Sequence, residues 1–185
     1  MKVFCLKPNE NWICDRIADE FYNNFSDISS NNIFDCDVVW LLAGWCWRHV
    51  PVDILKLKKI VVTVHHIVPE KFDNNKLNDF LTRDQFVDAY HVPNDKTLNF
   101  ISQLTKKPIF SVPYWFDKDK WFPGDRTKAR DLLGLPKDRF IIGSFQRDTE
   151  GSDLKTPKLE KGPDLFCDYV ESVNNKDIHV LLGGG

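Results

Sequence analysis

No apolar run in the chain approaches the length needed to span a bilayer. The opening stretch MKVFCLKPNENW holds too short an apolar run for a signal peptide and reads as a first strand. A basic surplus is also missing. The formal net charge is −2, which argues against broad nucleic-acid binding, since phosphate-backbone binders carry excess positive charge. Cysteines are odd in number and scattered, at Cys5, Cys14, Cys36, Cys46 and Cys167, and no C-x-x-C pair occurs. That pattern suits buried thiols in a reducing cytoplasm better than a disulfide framework or a zinc site.

What is present is core-forming. Hydrophobic residues make up 42% of the 185, enough for a packed interior, and the length fits one to two domains. Lys2 to Leu6 reads as a strand, broken by Lys7-Pro8-Asn9-Glu10-Asn11. From Trp12, Ile13, Ile17, Phe21 and Phe25 recur every four residues, which is one face of a helix. Val38 to Ala43 is a continuous apolar run, as in strands covered on both faces. Pro51 to Leu57 fits one or two helical turns, and the β-branched run Lys59 to Val64 is the clearest strand. Asp73 to Asn78 reads as polar loop, and Asp79 to Thr82 as a helical turn at most. Phe86 to Val92 reads as a strand, Asn94 or Asp95 opens a helix, and Pro108 to Val112 is the last strand of this half. Strand–helix alternation from Met1 to Val112 predicts a parallel, Rossmann-like sheet.

The pattern then restarts. Asp125 caps a helix with Ala129, Leu132 and Leu133 inward, Gly134 takes the C′ position, and Pro136 stops further winding. Phe140 to Phe145 is a strand. Pro163 opens a helix with Leu165, Phe166, Tyr169, Val170 and Val173 on its apolar side, and His179 to Leu182 is a further strand.

Open α/β sheets bind ligands beyond the carboxyl ends of their strands. Three groups of residues fall there. Asn9, Glu10 and Asn11 follow the first strand, either as ligand contacts or as an ordinary helix cap, with backbone N–H groups and a helix N-terminus facing whatever lies above the sheet edge. Trp45 and Trp47 follow the second, as planes on which a sugar's apolar face packs or as lids on the core. His65 and His66 follow the third, and adjacent residues of an extended chain face opposite ways, so either one points into the cleft. His91, in a later strand, reads as structural. A metal held by His65, His66 and Glu70 is a weak alternative, because adjacent histidines rarely share one ion. Asp35-Cys36-Asp37 matches D-x-D by letters but precedes its strand, and reads as a strand-entry cap. Arg147 just past a strand and Lys161 at a helix N-terminus are the arrangement that holds a diphosphate.

The run from Val112 to Leu165 resembles the interdomain crossing of GT-B glycosyltransferases, in particular the retaining family 4. Pro113-Tyr114-Trp115-Phe116-Asp117 through Trp121-Phe122-Pro123 is similar to its connector, Leu133 to Pro136 to its "LGLP" helix end, and Gly143 to Arg147 and Glu160 to Asp164 to its "G-x-x-R" and "E-K-G-x-D". Trp115 stands where the family usually has glycine, the first loop lacks the usual glycines, and the loop from Arg147 to Lys161 is longer than is common. That loop, Asp148 to Glu160, either closes over a substrate or is a surface insertion.

The resemblance implies residues 1–113 as a Rossmann-like acceptor-side domain, 114–124 as a connector, and 125–185 as the opening of a nucleotide-sugar donor domain. The implied whole is GT-B. The implied activity is transfer of a sugar, with retention, from a nucleotide-diphosphate donor to a glycan or lipid-linked acceptor, in polysaccharide or glycan biosynthesis. His65 or His66 would lie near the transferred sugar, Arg147 and Lys161 on the diphosphate, and Asn9, Glu10, Asn11 and Trp45 on substrate. No cofactor and no metal are implied, since cations and helix N-termini serve the leaving group. The implied location is cytoplasmic, with peripheral contact at the inner membrane face left open. The nucleobase pocket and an "E-x7-E" pair would lie past Gly185, so the chain reads as a fragment whose last strand is a bare edge. Two other readings stand beside this one: a nucleotide-sugar epimerase of GT-B type, and a non-catalytic or degenerate Rossmann-like binding module.

Overall fold

The computed structural model describes residues 1–145, 161–173 and 175–183. The chain divides into two compact units, Met1–Phe116 and Asp117–Gly185. The division falls inside the connector expected at 114–124.

The first unit alternates strand and helix: β1 (Val3–Leu6), α1 (Ile13–Asn24), β2 (Val38–Leu41), α2 (Val52–Leu57), β3 (Lys59–Thr63), α3 (Asn74–Asp84), β4 (Ala89–Val92), α4 (Asp95–Ile101) and β5 (Ile109–Ser111). The five strands form one parallel sheet in the order β1-β2-β3-β4-β5. The fold is therefore Rossmann-like α/β. Each strand is shorter than its apolar run. Leu42 and Ala43, for example, stay buried beyond the end of β2.

Alternation along β2 sends side chains to two different helical layers. Val39 and Leu41 join Ile54 and Leu55 of α2, Phe80 of α3, Ile101 of α4, and Ile60, Val62, Tyr90 and Val92 of the neighbouring strands. Trp40 and Leu42 join Cys14, Ile17, Ala18 and Phe21 of α1. Thus α1 covers one face and α2, α3 and α4 cover the other. Burying each large aliphatic side chain here contributes about 1.5–3 kcal/mol.

This two-sided cover has a topological cause. After α1 the chain returns along the outer edge of β1, where Ser29 bridges Val3 in parallel. Val3 N–H donates to Ile28 O at 2.8 Å and Ser30 N–H to Val3 O at 2.9 Å. Only then does it cross to β2. Counting that bridge, the strand order reverses at β1, and right-handed crossovers on either side of a reversal lie on opposite faces. The crevice above the carboxyl ends of β1 and β2 is the place such a sheet opens to a ligand.

One element departs from the sequence reading. The polar stretch at 73–84 is a full helix, α3, capped by Asp73, whose side chain accepts from Lys76 N–H at 2.9 Å. Its buried residues are only Phe80 and Arg83, so apolar periodicity is too thin to mark it. Phe80 stacks on Tyr90 with ring centroids 5.4 Å apart.

The second unit pairs β6 (Phe140–Ser144) with β7 (Ile178–Leu182) in parallel, and adds α5 (Arg126–Leu132) and α6 (Pro163–Val173). Asp125 caps α5, accepting from Thr127 and Lys128 N–H at 2.9 and 3.1 Å. At the other end Leu135 N–H reaches Arg130 O at 2.8 Å and Gly134 N–H reaches Asp131 O at 3.3 Å, with Gly134 at φ 64°. This is the left-handed glycine cap expected from "LGLP". The expectation that Ala129, Leu132 and Leu133 point inward is corrected. All three are exposed, Leu132 at 86%, and the buried residue is Arg130, whose Nη1 donates to Pro136 O and Lys137 O. On α6, Leu165 and Tyr169 are likewise exposed, while Phe166, Val170 and Val173 are half-buried.

Candidate functional site

The loop after β1 is built around a carboxylate of its own. Asp15, in the first turn of α1, accepts from Asn9 N–H at 2.9 Å and from Trp12 N–H at 3.4 Å. Burial acts to raise its pKa, but the N–H groups of Asn9, Trp12, Asn11 and Glu10 outweigh this and hold it below the usual carboxylate range. The expectation that this loop's N–H groups face outward to a ligand is therefore corrected at Asn9 and Trp12. Asp15 already occupies them. Asn9 and Asn11 sit at φ 58° and 53°, the left-handed region that asparagine tolerates better than most residues. They take the place of the glycines that this loop lacks.

Glu10, between them, projects outward. Its Oε1 accepts from Trp45 Nε1–H at 2.9 Å. Trp45 lies in the turn Gly44–His49 that follows β2, is 48% exposed, and leans beside His65 with ring centroids 6.4 Å apart. Trp47, two residues on, is buried, donates to Asp79 Oδ1 at 3.3 Å and carries Arg48 over its ring. The two tryptophans thus divide the alternatives: Trp45 presents a plane to solvent and Trp47 is core. Arg83, from α3, fixes the start of this turn by donating to Gly44 O at 3.1 Å.

The paired histidines divide as well. His66 is exposed. His65 is half-buried, and its Nε2 lies 2.6 Å from Leu42 O. A carbonyl can only accept, so Nε2 carries the ring proton and Nδ1 presents its lone pair. That lone pair accepts from the Tyr114 hydroxyl. Burial lowers the His65 pKa, the Leu42 carbonyl works against this, and the net effect keeps the ring neutral to lower pH than usual. Cys14 Sγ lies 3.1 Å from Nε2. Burial, then the carboxylates of Glu10 and Asp15, push that thiol up to about 11, so it is no nucleophile at neutral pH.

A second oriented relay crosses the same sheet end. His91 Nε2–H donates to Val112 O at 2.8 Å, so its Nδ1 accepts from Thr63 Oγ1–H at 3.0 Å, and Thr63 Oγ1 accepts from Trp40 Nε1–H at 2.9 Å. Both ring nitrogens of His91 are used in holding three strands and the exit of β5 together, which makes it structural.

Glu10, Trp45 and His65 are therefore brought together above β1, β2 and β3, with Tyr114 and Cys14 beside them. Asn9 and Asn11 shape the loop, and His66 is exposed. Lys161 stands in the second unit, half-buried, just before Gly162 and α6. Arg147, the loop Asp148 to Glu160, and Gly184 and Gly185 lie outside the described residues. Among the described residues no group of three or more His, Cys, Asp or Glu is placed to hold a metal ion, and no helix is long and apolar enough to cross a membrane.

Sequence reading did not find Tyr114 as a site residue, nor Trp115 as an anchor. Trp115 Nε1–H donates to Glu20 Oε2 at 2.7 Å, its carbonyl lies 3.5 Å from Arg16 Nη2, and its ring leans on Trp40 at 6.3 Å. Trp115 is what fastens the connector to α1. No family model and no curated protein sequence matches the chain, so its function is argued from these residues.

Proposed function

We propose that the chain belongs to a GT-B-type retaining glycosyltransferase that moves a sugar from a nucleotide-diphosphate donor to a glycan or lipid-linked acceptor, without a metal. One observation carries this reading: Glu10, Trp45 and the neutral His65 converge above the reversal of strand order at β1. A carboxylate, an open indole plane and an imidazole are the groups that hold a sugar, through hydroxyl hydrogen bonds and packing of its C–H face. The connector and "LGLP" resemblance at 113–136 adds support, as does the well-formed glycine cap at Gly134. On this reading His65 lies beside the transferred sugar, and Arg147 and Lys161 stabilise the departing diphosphate. The sugar's acceptor can be a lipid-linked glycan, reached by peripheral contact at the inner face of the membrane.

The test is transfer of labelled sugar from a panel of nucleotide sugars by the intact enzyme that the resemblance implies, with nucleoside diphosphate release as a second readout. Turnover of one donor, cut by Arg147→Ala and Lys161→Ala with the fold intact, supports the reading. Release with no donor, or turnover unchanged in both variants, overturns it.

A second reading is a binding module that holds a nucleotide or sugar without transferring it. It is favoured by His65 itself, since both of its nitrogens are engaged by the protein. Binding of a nucleotide sugar without any release would select it. Interconversion of two nucleotide sugars would instead select the epimerase.

A further inference from the structure

Resting on the reading that His65 belongs to the site, we infer that Tyr114 is a movable cover over His65 Nδ1, carried by the connector and displaced when a substrate hydroxyl takes its place.

The geometry leaves His65 a single adaptable position. Nε2 is committed to a main-chain carbonyl that cannot move without disturbing the end of β2. Nδ1 is committed only to a side chain, the Tyr114 phenol. That phenol offers what a sugar hydroxyl offers, one O–H donor at hydrogen-bond distance, so the two compete for one lone pair. Tyr114 is 37% exposed, and its ring lies beside the imidazole with centroids 5.7 Å apart. It sits between the end of β5 at Ser111 and the end of the first unit at Phe116. No strand ladder or helix holds residues 112–116. Val112 N–H is bonded to Val92 O, and beyond it the segment is fastened through Trp115 to Glu20 and Arg16. Among the described residues the pairing behind that fastening is incomplete. Glu20 Oε1 and Arg16 Nε are buried without a hydrogen-bond partner, and Arg16 Nη1 stands 3.8 Å from Glu20 Oε1. Releasing Trp115 would therefore lift Tyr114 from the imidazole and expose an acceptor whose tautomer Leu42 has already set.

The test reads the Nδ1 lone pair directly, as the rate of carbethoxylation of His65 by diethyl pyrocarbonate at neutral pH, resolved by peptide mass and referred to the exposed His66 in the same molecule. Tyr114→Phe keeps the ring and removes the hydroxyl. Tyr114→Ala removes both, and Trp115→Ala keeps the Tyr114 side chain but frees the connector that carries it. The expected result is a rise of roughly five- to tenfold for Tyr114→Phe, the effect of one ordinary hydrogen bond. Tyr114→Ala should raise the rate further, and Trp115→Ala should raise it too. An unchanged His65 rate in both Tyr114 variants would overturn the cover, and an unchanged rate in Trp115→Ala would overturn its carriage by the connector. An unchanged His66 rate and near-ultraviolet circular dichroism verify the fold of each variant. These outcomes do not depend on any nucleotide sugar, so failure of the glycosyltransferase reading shows separately, as absence of turnover.

Discussion

Trp115 Nε1 donates to Glu20 Oε2 across 2.7 Å, tying the connector to the second turn of α1. The side-chain carboxylate is only 10% exposed, so removing its partner leaves a buried charge short of a hydrogen bond. Trp115→Gly, the residue type usual in the resembled family, should destabilise the first unit by roughly 2 kcal/mol, summing the lost bond and part of the ring's packing on Trp40. Urea unfolding monitored by far-ultraviolet circular dichroism measures it. A midpoint equal to that of the unsubstituted chain would contradict the anchoring role.

Asp15 is the carboxylate whose protonation should loosen the loop after β1. Its folded pKa lies below the unfolded value of about 3.9. The stability it contributes is therefore complete above that value and is lost as pH falls through the lower, folded one. Asp88 acts in the same direction: burial is outweighed by Ile60 N–H and by Lys59. Asp15→Ala should cost about 1–3 kcal/mol at pH 7, since several loop N–H groups lose their acceptor. It should also flatten the acid limb of the stability curve. An acid limb of unchanged slope would contradict this.

His65 acts in the same direction but in a higher pH window, because its folded pKa is lowered by burial rather than by hydrogen bonds to a charged form. Its folded pKa lies below the unfolded value of about 6.5, so between the two the unfolded chain binds more protons. Stability is complete above about pH 6.5 and declines as pH falls toward the folded value. In an NMR titration the His65 ring should stay neutral, with its proton on Nε2, below pH 6.5. A midpoint at or above 6.5 would contradict the burial of the ring, which is what lowers it.

The thiols give a chemical check on the core. Burial pushes Cys5 up to about 12 and Cys14 up to about 11, and Cys36 and Cys46 are also buried and raised. Cys167 is exposed. Iodoacetamide at pH 8 should therefore add one group quickly, at Cys167, and the others only on unfolding. Rapid addition at Cys14 or Cys46 would mean that the packing of α1 on β2 is wrong.

Much of the sheet was legible because buried parallel strands announce themselves. Lys59–Thr63 is almost entirely β-branched and Val38–Leu41 is apolar throughout. Gly134 and Pro136 likewise fix the end of α5 by local rules. Helix α3 escaped because its cap, Asp73, is local but its core contact is nearly one residue, Phe80. At the site, Trp45 and the histidine pair could be placed at strand ends, yet orientation could not. Tyr114 meets His65 across 49 residues of sequence, a pairing no local pattern encodes. Asp15, which claims the loop's N–H groups, looks in sequence like any acidic residue in a helix's first turn.

On the proposed function the sugar of a nucleotide-sugar donor docks on Glu10 and Trp45, and the indole N–H signals report it directly. Six tryptophans give six such signals, and Trp45→Phe assigns the one that matters. On titration with the nucleotide-sugar panel, the Trp45 signal should move as its bond to Glu10 is perturbed, while that of Trp47, held by Asp79 in the core, stays in place. A Trp45 signal that stays fixed against every donor would contradict the account.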